Sequence, residues 1–147
     1  MRRLAQATFV MAATMAGAPA SADGPKIVHC VAKGWMNIPP PGKAIAFTES
    51  EYYRINPESI QAYSQYSKSF TANLCAVEGF KCIIHDDIYE FTLIIPNKGG
   101  NGSSFVSSHL IDTRGGNYRV EVTAFGLPTR TMAGTCEQSA SPETSRQ

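Results

Sequence analysis

The segment LIDTRGGNYRVEV, residues 110–122, carries the pattern that decides the fold. After its glycine pair, apolar and charged side chains alternate through YRVEV, so that the aromatic and aliphatic ones lie on one face of a strand. The residues before the loop, FVSSHLI at 105–111, also have a strand-like composition. The sequence therefore predicts a β-hairpin in which DTRGGN connects two antiparallel strands.

The charged residues of this loop raise the alternative of a chemical site. Asp112 can accept hydrogen bonds from the backbone N–H groups of a turn. Gly115 and Gly116 can supply the positive φ that a tight hairpin requires. Arg114 lies at the tip, where it is free to contact a partner. We interpret the segment as a turn rather than as a catalytic site.

The same alternation recurs along the chain. Its clearest example is IYEFTLII, in which Tyr89, Phe91, Leu93 and Ile95 share one face. Further strand-like segments are KIVHCVAKG at 26–34, AIAFTE at 44–49, YYRI at 52–55 and TMAGTC at 131–136. Short strands separated by turn sequences are typical of an antiparallel sandwich or barrel. The sequence therefore predicts a small all-β domain, mainly antiparallel.

Residues 57–74 depart from this alternation. Asn56 and Pro57 fit the start of a helix, and Ile60 and Leu74 fall near a helical stripe. Serine, tyrosine and threonine dominate the segment, however, and they are poor helix formers. We expect a strand and an irregular loop here, with one short helix as the alternative.

The chain begins with the pattern of a secretory signal peptide, residues 1–22. Arg2 and Arg3 precede an apolar run that ends at an A-x-A cleavage site. The run is too short for a membrane anchor, which needs about 20 apolar residues. The sequence predicts a periplasmic or secreted protein without a transmembrane segment after cleavage, with one domain at 23–137 and a flexible tail at 138–147.

Removal of the signal peptide changes the charge only slightly. The full chain has 13 basic and 12 acidic residues and a formal net charge of +1. Loss of Arg2 and Arg3 leaves 11 basic and 12 acidic residues, a net charge of −1. This balance does not indicate binding to nucleic acid or to an anionic membrane surface.

Four cysteines in an exported chain indicate two disulfides, with three pairings open. We favour Cys75–Cys82, which closes a short loop, and Cys30–Cys136, which joins the two ends of the domain. The second bridge would connect the first and last strands, and we expect it to hold the two edges of the sheet together. No cysteine spacing resembles the C-x2-C pair of a zinc site.

Few residues suggest chemistry. His85 and Asp87 share a strand face and, with His109, are weak candidates for a metal site, although a polar strand end leading into a turn explains them more simply. Glu49 and Glu51 are interpreted as solvated loop charges. No nucleophile signature such as G-x-S-x-G is present. We assign no catalytic residue and no cofactor, and the balance leans against an enzyme.

Aromatic and basic residues are candidates for contact with a partner. Trp35 and Tyr66 are amphipathic aromatic side chains of the type enriched in interfaces, although filling a small β core and its rim explains them more simply. Lys98 would be displayed on the glycine-rich loop NKGGNGSS, and Arg114 on the hairpin loop. Loops held by a rigid scaffold often carry binding residues, whereas a plain flexible connection is the simpler explanation of NKGGNGSS.

The order of YRIN, ANLCAVEGFKCIIHDDIYEF, LIDTRGGNYRVEV and AGTCE resembles that of small exported bacterial β-domain proteins of uncharacterised function. Those proteins carry a Tyr-x-Ile-Asp turn, a mid-chain cysteine pair, an Ile-Asp-Arg-x-x-Gly-x-Tyr hairpin and a terminal Gly-x-Cys. Asp112, Gly116 and Tyr118 fit that hairpin, whereas Thr113 replaces its arginine and Asn56 replaces the turn aspartate. The resemblance implies export and a β fold, and no particular activity.

From these observations we expect an exported, non-enzymatic β domain that binds a protein or envelope partner. One alternative is an inhibitor of lysozyme-type enzymes, because small disulfide-bonded periplasmic inhibitors are similar in size and plug an active site with a loop. NKGGNGSS, residues 97–104, would be that loop. The other alternative is a small metal-binding hydrolase that uses His85, Asp87 and His109.

Overall fold

The computed structural model describes residues 24–37, 44–96, 104–124 and 127–142. The predicted signal peptide at 1–22, the loop segment 97–103 with Lys98 and the last part of the predicted tail, 143–147, lie outside the described residues.

The described residues form nine strands and one short 3-10 helix in a single curled sheet, a half-barrel. The order across the sheet is β4-β3-β2-β1-β9-β8-β7-β6-β5, and every neighbouring pair is antiparallel. The predicted all-β antiparallel class is therefore confirmed. The elements are β1 Lys26–Asn37, β2 Ala44–Asn56, β3 Ser59–Ser64, β4 Ser69–Phe70, the 3-10 helix Leu74–Ala76, β5 Phe80–His85, β6 Ile88–Ile95, β7 Phe105–Asp112, β8 Asn117–Ala124 and β9 Leu127–Ser139.

The core lies on the concave face of this sheet. Val28, Cys30 and Ala32 of β1 are buried there, as are Tyr118 and Val120 of β8. Residues between them point to the convex face, because side chains alternate along a strand. The alternation predicted for both strands is confirmed.

The first and last strands are neighbours in the middle of the sheet. Cys30 and Cys136 are direct register partners of β1 and β9, with Cα atoms 4.0 Å apart, and form a disulfide. The predicted pairing is confirmed, but the expectation that this bridge joins two sheet edges is wrong. The edges are β4 and β5, because each end of the chain continues outward into its own run of hairpins.

The gap between the two edges is bridged by the 3-10 helix and the second disulfide. Cys75 in this helix pairs with Cys82 on β5, as predicted, with Cα atoms 5.4 Å apart. Asn73 connects the same segment to β3, because its side-chain oxygen accepts from the backbone N–H of Ile60 at 3.2 Å. Leu74 is buried between them. These contacts close the core where strand pairing does not.

Residues 57–73 form strands and turns, and the 3-10 helix begins only at Leu74, so the alternative of a short helix within 57–74 is wrong. Asn56 does not cap a helix; its side-chain oxygen accepts from the backbone N–H of Glu58 at 2.8 Å in the tight turn between β2 and β3. A second turn, with Lys68 at φ 53°, leads into β4. Propensity and turn chemistry outweigh the weak helical stripe here.

The loop between β7 and β8 is the predicted turn. The Asp112 carboxylate accepts from the backbone N–H groups of Arg114 at 3.0 Å and Gly115 at 2.8 Å. Gly116 has φ 67°, but Gly115 does not have a positive φ, so the expectation for Gly115 is wrong. Gly115 is needed for space instead, because a Cβ there would overlap the Asp112 carboxylate.

The last strand extends beyond the domain boundary predicted at 137. Gln138 and Ser139 pair with Val28 and Ile27 of β1, because the long first strand offers partners up to its beginning. No helix among the described residues is long and apolar enough to cross a membrane.

The hairpin loop generates a first prediction. Gly116→Val should lower the free energy of unfolding by about 2–3 kcal/mol, because a β-branched residue is strained at positive φ. Arg114→Ala should change it by less than about 0.5 kcal/mol, because this side chain is exposed. Urea unfolding followed by circular dichroism measures both. Equal losses would show that the glycine does not fix the loop.

The second disulfide generates another prediction. A Cys75→Ala/Cys82→Ala double variant should lose about 2–3 kcal/mol of stability, from the entropy of closing a short loop. Because this bridge ties the 3-10 helix to β5, amide exchange should accelerate first in the 3-10 helix and β5. Hydrogen exchange with mass spectrometry measures this, with β1 and β9 as the internal control. Uniform acceleration across the sheet would contradict a local closing role.

Candidate functional site

In the described part of the chain, the half-barrel is open at the end where β2 and β7 begin and β6 ends. Ile45, Ile95 and Phe105 follow the inward alternation of their strands, yet they are 49%, 51% and 38% exposed. Further along the same strands the inward residues Tyr53 and Phe91 are buried. No described residue therefore covers the concave face at this end, which we call the open end.

Four side chains form a cluster just inside the open end, the mouth cluster: Phe47, Glu49, Glu51 and Arg130. The first three lie on β2 and alternate in phase with the buried Tyr53, so they face inward. The interpretation of Glu49 and Glu51 as solvated loop charges is thus wrong. β2 runs without interruption through this part of the chain, and pairing with β1 fixes its register.

Arg130 reaches across the concave face from β9 to β2. Its Nη1 donates a hydrogen bond to Oε2 of Glu49 at 2.8 Å, and its guanidinium carbon lies 4.4 Å from the centre of the Phe47 ring. The Arg130 and Glu49 side chains are 30% and 16% exposed. A partly desolvated ion pair over an aromatic ring is held more firmly than a surface pair.

Glu51 lacks such a partner. No hydrogen bond or ion pair joins its carboxylate to the described part of the chain. Burial raises its pKa from 4.5 to about 7, and the charge of Glu49 adds to this effect. Burial also raises the pKa of Glu49, although Arg130 opposes the shift. Near neutral pH the mouth cluster thus contains one paired and one unpaired acid.

Small residues beneath the cluster make room for it. Ala32 pairs with Glu49 across β1 and β2, and Gly34 pairs with Phe47. On the next strand, a Cβ at Gly134 would overlap the carbonyl of Val31, so β1 and β9 approach too closely for a side chain there. The charged side chains can therefore lie over the small residues of β1, beside the buried Met132 of β9.

A chain of polar groups lies deeper on the same concave face, between the cluster and the core. The Tyr53 and Tyr118 hydroxyls are 2.8 Å apart, and the Tyr118 hydroxyl is 3.1 Å from Nδ1 of His109. Nε2 of His109 is 3.0 Å from Oγ of Ser107. Phe91 stacks on the imidazole with ring centres 4.6 Å apart. The arrangement places a serine, an imidazole and a phenol in sequence.

The hydrogen bonds of this chain can run in two directions, because the roles of the hydroxyls depend on the tautomer of His109. In one direction Tyr53 donates to Tyr118, Tyr118 donates to Nδ1 of His109, and Nε2–H donates to Ser107. In the other, Ser107 donates to Nε2, Nδ1–H donates to Tyr118, and Tyr118 donates to Tyr53. Burial, with Arg130 second, lowers the pKa of His109 to about 4 and keeps the imidazole neutral.

The structure distributes the predicted partner-binding residues over different surfaces. Trp35, 60% exposed, lies on β1 with its side chain on the convex face, since it alternates with the inward Gly34. Tyr66 is fully exposed in the turn between β3 and β4, and Arg114 is exposed in the β7–β8 loop. Lys98 lies outside the described residues. The three described side chains do not form one site.

The weak metal candidates are also separated. His85 is exposed at the end of β5, and Asp87 belongs to the two-residue turn that follows, where Asp86 has φ 52°. The backbone carbonyl of Asp87 accepts from the Thr113 N–H at 2.9 Å, whereas His109 faces the concave interior. Among the described residues, no three His, Cys, Asp or Glu side chains are placed to hold a metal.

One feature of the sequence indicates the mouth cluster. The inward-facing residues of β2, at positions 45, 47, 49, 51, 53 and 55, are apolar or aromatic except for the two acids at 49 and 51. Comparison with known proteins adds nothing, since no family model, curated protein or solved structure matches the chain.

The unpaired acid generates a prediction on pH dependence. In the unfolded chain Glu51 ionises near its ordinary pKa of 4.5, and in the folded chain at about 7. Between these values the folded state holds the extra proton, so ionisation lowers stability as the pH rises through that window. Glu51→Gln should therefore gain stability relative to the unmodified chain between pH 5 and pH 8, by at most about 3 kcal/mol.

Urea denaturation at pH 5 and pH 8 measures this difference. His109, whose lowered pKa acts in the opposite direction, is common to both proteins and cancels in the comparison. Glu90→Gln, on the outward-facing side of β6, is the matched control and should follow the unmodified chain at both pH values. If the free energy of unfolding of Glu51→Gln changed between pH 5 and pH 8 by the same amount as that of the unmodified chain, the raised pKa of Glu51 would be contradicted.

Proposed function

We propose that this chain is an exported, non-enzymatic binding domain that engages its partner at the open end of the half-barrel. One observation carries the proposal: the Glu51 carboxylate is half-buried on the concave face without a cation among the described residues. A group that folding alone disfavours, located in an accessible concavity, is characteristic of a functional site.

The surroundings of Glu51 support binding rather than simple solvation. Ile45, Ile95 and Phe105 expose apolar surface at the same end, and Phe47 and Arg130 provide an aromatic face and a fixed charge. Apolar surface rimmed by a few oriented polar groups is typical of a recognition site. A basic group from a partner would neutralise Glu51 and cover this surface.

The low basicity of His109 supports a non-enzymatic role. Ser107 is the most nucleophile-like residue in the described concave face, and its Oγ lies 3.0 Å from Nε2 of His109. The low pKa of His109, about 4, makes it a weak base for activating that hydroxyl. The chain of hydroxyls is best explained as a satisfied polar element beneath the binding surface.

Export is supported by the disulfides and the N-terminal sequence. Two disulfides in a domain of this size are typical of oxidising compartments such as the periplasm or the extracellular space. Residues 1–22 carry the signal-peptide pattern.

The two alternative functions have less support. The loop that would plug a lysozyme-type enzyme, residues 97–104, lies almost entirely outside the described residues. The hydrolase alternative needs His85, Asp87 and His109 together, and the described geometry keeps them apart.

Charge reversal at the site tests the proposal. The oxidised domain, immobilised, should retain a partner from an envelope extract of the organism that encodes it. Glu51→Lys should lose that partner, because a cation replaces the acid that attracts it. Each retained protein is identified by mass spectrometry, purified and titrated against the variants, with at least roughly tenfold weaker binding expected for Glu51→Lys.

Two controls make the result specific. Glu90→Lys carries the same charge change on the convex face and should retain the partner. Glu51→Gln, which removes the charge without adding a new one, covers the case in which Glu51→Lys folds poorly. Equal retention by the unmodified chain, Glu51→Gln and Glu51→Lys would reject the open end as the binding site.

A further inference from the structure

The edge of β2 is unpaired over most of its length. β3 pairs with β2 only from Tyr53 to Asn56, while β1 covers the opposite side of β2 from Ala44 onward. In the described part of the chain, residues 44–52 are therefore hydrogen-bonded to a neighbouring strand on one side only, although the ring of Tyr63 on β3 still contacts that of Tyr52, with ring centres 6.4 Å apart. Their outward N–H and C=O groups can pair with another extended segment.

Common protective features are missing from this edge. Proline, lysine and bulges usually prevent strand addition. The sequence of residues 44–52, AIAFTESEY, has neither proline nor lysine, and the register shift in the described sheet lies between Val122 and Thr123 of β8. The protection that β2 does carry is its pair of inward-pointing acids, which disfavours apolar strands and tolerates basic ones.

The two faces of the edge differ in a way that specifies a partner. On the convex face four small side chains, Ala44, Ala46, Thr48 and Ser50, precede the large Tyr52. On the concave face the first half is apolar, with Ile45 and Phe47, and the second half is acidic, with Glu49 and Glu51. Residues that lie directly opposite on adjacent strands contact each other, so this pattern selects the opposing side chains.

We propose that an extended segment of a partner adds to β2 as an antiparallel strand, with a basic residue opposite Glu51 and apolar residues opposite Phe47 and Ile45. This inference rests on the proposed function and specifies its mode. Glu49 already has Arg130 at 2.8 Å, so the residue opposite it is polar rather than charged. The required pattern is basic, polar, apolar, apolar at alternate positions of the incoming strand.

A second copy of this chain fits the edge poorly. Antiparallel pairing of residues 44–52 with themselves centres on Thr48. It places Ile45 opposite Glu51, and Phe47 opposite Glu49, on the concave face. An acid forced against an apolar side chain is desolvated without a partner. The charge pattern thus favours a heterologous basic strand.

Capped nine-residue peptides test the proposal against the purified chain with both disulfides formed. The reference peptide has lysine, threonine, valine and valine at its second, fourth, sixth and eighth positions and threonine elsewhere. Binding is followed by fluorescence anisotropy and by amide exchange of residues 44–51, which should become protected. Glutamate in place of the lysine should weaken binding at least roughly fivefold, because like charges then lie opposite each other.

N-methylation separates strand addition from charge attraction. One edge of the added strand faces β2 and the other faces solvent, so N–H groups at alternate positions have different roles. Methylation of one alternate set should abolish binding, and methylation of the other should leave it within about twofold. Equal affinities for the two methylated peptides would overturn strand addition, as would protection of β5 rather than β2.

The outcomes also separate this inference from the proposed function. If the envelope partner depends on Glu51 but both methylated peptides bind equally, the open end remains the binding site and strand addition is rejected. Glu51→Lys should weaken the reference peptide, whereas Glu90→Lys should not. Sedimentation that finds a dimer lost on Glu51→Lys would reject the heterologous partner in favour of a second copy.

Discussion

The pairing of the first strand with the last holds the molecule together. β1, β2, β3 and β4 form one run of hairpins, β5 to β9 form another, and strand pairing connects the two runs through β1 and β9 within the described sheet. We call the pairing of β1 with β9 the seam. The strands approach closely at Gly34 and Gly134, and the Cys30–Cys136 disulfide joins them covalently. Contacts between the ends of a chain carry a large loop-closure entropy, and a disulfide across them offsets about 4–5 kcal/mol of it.

The candidate site exists only when this seam forms. Glu49 and Glu51 belong to the first run of hairpins and Arg130 to the second, and the ion pair between them crosses β1. Deeper in the half-barrel, the Tyr53–Tyr118 hydrogen bond joins the same two runs. Residues of the candidate site that come from distant parts of the sequence are thus positioned by one pairing in the middle of the sheet.

Sequence patterns predicted the features that depend on local rules. The alternation around Tyr118, the turn chemistry of Asp112 and the pairing of Cys75 with Cys82 follow from neighbouring residues, and the structure confirms them. Glu49 and Glu51 were missed because inward acids contradict the apolar pattern that identifies a strand. The environment of Glu49 depends on Arg130, 81 residues further along the chain, and no local signal encodes that contact.

The stability of the seam explains how the chain can retain an unfavourable acid. A pKa of about 7 for Glu51 corresponds to a destabilisation of roughly 3 kcal/mol at high pH. A domain with marginal stability could lose most of its folding free energy in this way. Two disulfides supply stabilisation of comparable or larger size. Covalent closure therefore allows the chain to keep an acid that has no cation among the described residues, and in our proposal this acid receives a cation from a partner.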